Sequence, residues 1–141
     1  MTDMRIEYTS RGFPLVRFTD SLGRSCSLQE SSLASESCIW FGRDVINEPE
    51  PKRMHLTQGM VVEILDELDA PGRELPMTFE DRYGSECIVQ EEPSRDGTMH
   101  DIGIVVDFEG RPGERMTIDE TLMAALRPML DRFVEHGTIV P

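Results

Sequence analysis

The sequence predicts an α+β fold: two tandem repeats of an antiparallel three-stranded β unit plus one helix, pseudo-twofold, packed as one compact domain. Three observations predict it. Residues 18–30 and 79–91 align without a gap and share six identities: Phe18/Phe79, Asp20/Asp81, Gly23/Gly84, Cys26/Cys87, Gln29/Gln90 and Glu30/Glu91. Chance would give about one match in such a window. Further on, Arg53-Met54-His55-Leu56-Thr57 matches Arg115-Met116-Thr117-Ile118-Asp119, one residue out of step with the first block. An apolar stripe at helical spacing then closes each copy. One such unit is too small to be stable alone, so the two should share a core. Residues 1–75 form repeat one with an extra N-terminal strand, and 76–141 form repeat two.

The elements follow in order. Residues 5–8 predict the extra strand, hairpinned to 13–18 through Ser10, Arg11 and Gly12. Residues 15–19 alternate as a strand does. Asp20 opens a turn and Gly23 stands near its end. Residues 26–29 return, and 38–42 predict a third strand. A charged, proline-containing loop (47–52) and a short segment through Met54 and Leu56 lead into the first helix. Copy two repeats this logic with a strand from Met77 to Glu80, a turn at 81–84, a strand at 87–90 and a third strand at 102–107.

The helices have the clearest signatures. Thr57 is the expected N-cap of the first. Met60, Val61, Ile64, Leu65 and Leu68 form its apolar stripe, and Ala70-Pro71-Gly72 stops it. Asp119 is the expected cap of the second. Leu122, Met123, Leu126, Met129, Leu130 and Phe133 form its stripe, with Gly137 as the C′ residue. Pro128 lies inside this pattern and is expected to kink the helix or break its hydrogen bonding.

Charge narrows the function classes. The 141 residues carry 14 Lys+Arg against 27 Asp+Glu, a formal net charge of −13. Such a chain repels phosphates, which excludes simple electrostatic binding of DNA or RNA and disfavours an anionic membrane surface. No apolar run approaches the roughly 20 residues of a membrane span, and the N-terminus lacks the apolar stretch of a secretory signal. The three cysteines, Cys26, Cys38 and Cys87, are expected as reduced, buried thiols. His55, His100 and His136 show no metal-ligand spacing with them. No cofactor loop, metal site or catalytic constellation is expected: Ser31, Ser32 and Cys26 are nucleophile-capable, but no histidine stands in a recognisable sequence relation to them. Ser31-Ser32 reads as a turn or capping pair, and His55 as a histidine bonded to backbone.

The segment Phe18, Thr19, Asp20, Gly23, Cys26, Ser27, Leu28, Gln29, Ser31, Ser32, Leu33, Ala34, Glu36, Ile39, Trp40, Phe41 and Gly42, followed by Arg53, Met54, His55, Leu56 and Thr57, resembles a family of small proteins encoded by phages and prophages. In that family a single copy ends in a helix similar to Leu126-Arg127-Pro128-Met129-Leu130 with Phe133, Val134, Glu135 and Gly137. Copy one here carries the front motif and copy two the back motif, so the chain looks like a duplicated, diverged member. Copy two departs after Gln90, where Glu92-Pro93-Ser94-Arg95 replaces Ser31-Ser32-Leu33-Ala34. The resemblance implies a phage origin and no established reaction.

Two features point to a partner. Trp40 takes the strand face opposite Ile39 and Phe41. It corresponds to Gly103 in copy two, so the shared core does not demand it. It is a candidate anchor for a partner, the alternative being packing on loop 43–52 or on the other copy. The second feature is the acids. Residues 1–75 hold 13 acidic and 8 basic residues, net −5; residues 76–141 hold 14 and 6, net −8. Glu63, Asp66 and Glu67 lie on the exposed face of the first helix, Asp44, Glu48 and Glu50 follow Trp40, and Asp101, Asp107 and Glu109 lie around the third strand of copy two. Such acids either solubilise the chain or compete with DNA for a basic groove. The resulting expectation is a non-enzymatic inhibitor, acting in the cytoplasm of a bacterial host. It would bind a nucleic-acid-binding defence complex of the CRISPR effector type, with a homodimer left open. The alternative is a phage structural or assembly accessory.

Overall fold

A computed structural model describes residues 4–32, 36–43, 53–71, 74–93, 100–107 and 115–141. The first half forms a five-stranded antiparallel sheet in sequential order: β1 (Ile6–Tyr8), β2 (Pro14–Thr19), β3 (Ser25–Ser32), β4 (Ser37–Arg43) and β5 (Arg53–Thr57). Helix α1 (Gln58–Asp69) follows directly. The second half forms a four-stranded sheet of β6 (Met77–Glu80), β7 (Glu86–Pro93), β8 (His100–Asp107) and β9 (Arg115–Ile118), followed by α2 (Glu120–His136).

The expectation of three strands per unit therefore falls short. The Arg-Met segments, read in the sequence as a lead-in to the helix, are strands. Trp40 stands opposite His55 across β4 and β5, and Gly103 opposite Thr117 across β8 and β9. Met54 and Leu56 project into the core while His55 takes the other face, the period-two pattern of a strand.

The identities between the halves have local reasons. Phe18 pairs with Cys26 and Phe79 with Cys87 at the same place in each hairpin. Gly23 (φ 84°) and Gly84 (φ 83°) hold the left-handed position of the two turns, where a Cβ is disfavoured. Each cysteine thiol donates to a turn carbonyl, Cys26 to Arg24 and Cys87 to Ser85, both at 3.6 Å. Burial pushes both thiols up to about 12, so they are inert, and all three cysteines are free and buried as expected.

The helices begin and end at the expected caps. The Thr57 hydroxyl accepts from the Met60 N–H at 3.3 Å and the Asp119 carboxylate from the Leu122 N–H at 2.8 Å. Gly137 closes α2 in the left-handed conformation (φ 76°) and donates its N–H to Phe133 O. Pro128 does not end the helix; it costs one intrahelical hydrogen bond, the local break expected of it. The carbonyl it deprives of a donor is that of Ala124, and both residues are exposed, so water can serve that carbonyl.

One hydrophobic cluster unites the halves. Val16, Phe18, Leu28, Ile39, Phe41, Met54 and Leu56 of the first sheet meet Val89, Ile102, Met116 and Ile118 of the second, with Val61, Ile64, Leu65, Leu126, Leu130 and Phe133 from the helices. Among the described residues no helix is long and apolar enough to cross a membrane.

Candidate functional site

The two halves are clamped by their hairpin turns, each of which reaches across to the last strand of the other half. In the first turn, Asp20 Oδ1 accepts from the N–H groups of Leu22 (3.1 Å) and Arg24 (2.8 Å), which shapes the turn itself. Its Oδ2 accepts from Thr117 N–H of β9 at 2.9 Å, while Ser21 N–H donates to Thr117 O at 2.9 Å. The second turn does the same in the opposite direction. Asp81 Oδ1 accepts from Tyr83 (3.0 Å) and Ser85 (2.9 Å), its Oδ2 accepts from His55 N–H of β5 at 3.0 Å, and Arg82 N–H donates to His55 O at 2.8 Å. Both aspartates are buried, yet their oxygens are used by backbone donors, which is what makes a buried carboxylate tolerable.

On this common backbone the two joints carry different side chains. At the joint of β5 with the second turn, Trp40, His55 and Tyr83 form an aromatic stack. Ring centroids are 4.3 Å apart for Trp40–His55, 4.7 Å for His55–Tyr83 and 5.6 Å for Trp40–Tyr83, the last pair inclined by only 17°. The Arg53 guanidinium lies 5.4 Å from the Trp40 ring centroid, and one of its nitrogens donates to Ser27 Oγ and Gln29 Oε1, each at 3.2 Å. His55 is fully buried and Trp40 half-buried, but Tyr83 is 62% exposed.

At the other joint the same positions hold Leu22, Gly103 and Thr117. Arg24 pairs with Asp20 at 2.7 Å and donates to Thr117 Oγ1 at 2.9 Å. Thr117 Oγ1 donates to Glu92 at 3.2 Å, and Glu92 pairs with Arg115 at 3.0 Å. Burial pushes Asp20 up, but the Thr117 N–H, the Arg24 side chain and the Arg24 N–H outweigh it and hold the carboxyl below its ordinary value. One joint is thus a ring stack and the other an ionic network.

The Ser31 hydroxyl lies 2.9 Å from His55 Nε2, a proximity that their separation in sequence does not announce. Strand pairing creates it, because β3 and β5 flank β4 and place both side chains on one face. His55 Nδ1 is buried without a hydrogen-bond partner among the described residues. Asp81, which could have oriented the ring, accepts instead from the His55 backbone. Burial depresses the His55 pKa, so the imidazole is neutral near pH 7. The arrangement is a serine–histidine hydrogen bond whose ring is packed against Trp40 and Tyr83 and is oriented by no carboxylate among the described residues.

Of the sequence-predicted site residues, Trp40 stands at the aromatic joint, packed on Tyr83 from the other half. Glu63 and Asp66 are exposed on α1; Glu67 is half-buried and accepts from Glu74 N–H at 2.6 Å. Asp101 and Asp107 lie in β8, whose backbone is described there. Asp44, Glu48, Glu50 and Glu109 lie outside the described residues. Tyr83, His55 and Arg53 join Trp40 at this joint although the sequence pattern does not mark them as binding residues. The one available signal was the alternation Met54/His55/Leu56, which places His55 opposite Trp40 once 53–57 is read as a strand. Among the described residues no group of three His, Cys, Asp or Glu side chains is placed to hold a metal ion.

Comparison of the chain with family models, curated proteins and solved structures returns no match.

Proposed function

We propose that this chain is a phage-encoded, acidic interaction protein that binds a host protein in the bacterial cytoplasm and inhibits it. Its target is a nucleic-acid-binding defence complex of the CRISPR effector type, whose basic surface it occupies. The two halves are, on this reading, a tandem duplication with pseudo-twofold symmetry, of which one joint has specialised. The observation that carries the proposal is the exposed ring of Tyr83, seated on Trp40 and His55 at a joint whose counterpart needs no ring. Aromatic residues of this kind anchor protein interfaces. The net charge of −13 and the solvent-facing Glu63 and Asp66 supply attraction to a basic partner. The protein acts here by binding and not by catalysis, with the Ser31 hydroxyl serving as a hydrogen-bond partner for one nitrogen of a buried ring.

The test is competition. The chain is added to the DNA-binding assay of a purified CRISPR effector from the host, beside a variant in which Glu63, Asp66 and Glu67 are changed to Lys. Loss of DNA binding with the parent chain, weakened in the variant and at high salt, is the expected result. Undiminished DNA binding with the parent chain defeats the proposal, and equal inhibition by the variant defeats the role of the acids. Co-purification with virions instead would assign the chain to phage assembly.

A further inference from the structure

This inference rests on the reading just given and names the partner group that it engages. We propose that the aromatic joint is the docking point for an arginine side chain of the basic partner, held flat against the exposed face of Tyr83. The ring is already fixed in place: Trp40 stacks on it at 5.6 Å and 17°, and His55 lies 4.7 Å away. A ring packed against Trp40 and His55, in a residue that is 62% exposed, presents a ready surface at little further cost in side-chain entropy. The fold itself does not require it. The equivalent turn position in the first half is Leu22, and that joint closes through Asp20, which accepts from Thr117 N–H, and through Ser21 N–H, which donates to Thr117 O.

The chemistry selects the occupant. An aromatic face attracts a cation, and a planar guanidinium stacks on it where an ammonium cannot. The stack already holds one such group, since Arg53 lies over Trp40. The chain's net charge of −13 draws basic partners, and Glu36 pairs at 2.7 Å with Arg82, the neighbour of Tyr83, so a carboxylate stands at the same corner. Both members of that pair are exposed and can exchange with an incoming arginine.

Two peptides of equal charge, nona-arginine and nona-lysine, separate stacking from charge. Trp40 is the only tryptophan and reports on its own stack. Titrated at low salt, nona-arginine should bind about two- to fivefold more tightly than nona-lysine and perturb Trp40 emission. Tyr83→Phe should keep that preference. Tyr83→Leu, which installs the residue type that the other joint tolerates, should bring the ratio to about one without unfolding the chain. Equal affinities in the parent chain, or a preference that survives Tyr83→Leu, would overturn the docking point. If the preference holds while the Lys triple variant at Glu63, Asp66 and Glu67 binds both peptides as well as the parent, only the role of those acids falls. If neither peptide binds, both ideas fall.

Discussion

The two joints between the halves share a backbone and differ in what their outer faces carry. In each, a turn aspartate shapes its own hairpin with one oxygen and holds an N–H of the other half with the second. Above that clamp, one joint stacks Trp40, His55 and Tyr83, and the other links Arg24, Thr117, Glu92 and Arg115. The difference teaches that the assembly depends on the aspartates, because they satisfy buried backbone donors of the other half. The outer positions are then free to diverge, one toward an exposed ring and the other toward a closed ionic network.

The largest effect should come from breaking the clamps. Asp20→Ala removes the acceptor of three backbone N–H groups and strands Arg24; about 3 kcal/mol of stability should be lost in urea unfolding. Asp81→Ala removes the same kind of backbone acceptor, with no arginine paired to it among the described residues, and should lose about 2 kcal/mol. Equal losses would deny the difference between the joints. Because the folded state depresses the Asp20 pKa, its contribution is present above the unfolded value near 3.8 and is lost as pH falls through the folded value. Asp20→Asn should therefore flatten the acid limb of the stability curve.

His55→Thr, which copies the other joint into the aromatic one, should cost about 1–2 kcal/mol through lost ring contacts. The folded His55 pKa lies below its ordinary 6.5, so the histidine favours folding fully above that pH and the advantage falls away as pH drops from 6.5 through the folded value. The variant should lose this dependence between neutral and mildly acid pH; retention of the parent curve would assign it to another group.

Glu92→Ala acts at the ionic joint. Its partner Arg115 is half exposed, so the loss should be under about 1 kcal/mol and should shrink in high salt. A Trp40→Ala variant should show no such salt dependence. The smallest effect is expected of Ser31→Ala, which removes one hydroxyl from His55 and should leave partner binding unchanged. The parent serine should also resist a fluorophosphonate, because no carboxylate among the described residues orients His55; rapid labelling at Ser31 would show that the pair is a working nucleophile and base.

Much of the fold is legible in the residues because its signals are local. Asp20 and Gly23 mark one turn, Asp81 and Gly84 the other, and Thr57, Asp119 and Gly137 mark helix ends through bonds spanning two to four residues. The strand 53–57 was harder to see. His55 interrupts an apolar pair just before a helix cap, and a polar residue that becomes fully buried carries no mark of burial in sequence. Trp40 was legible as an oddity, because its counterpart is Gly103, but its partner Tyr83 was not. A tyrosine beside a turn glycine looks like any exposed turn residue.

The sequence by itself determined the hairpins, the two capped helices, the buried stripes and the strong negative charge, since each depends on neighbours within a few positions or on composition. The tertiary structure alone decided that each turn crosses to the other half. That crossing brings Asp81 to His55 and Asp20 to Thr117, and sets Tyr83 on Trp40. The physical reason is that a turn aspartate carries the same local signature whether its second oxygen meets water or a distant N–H. Only packing around a shared core determines which it meets.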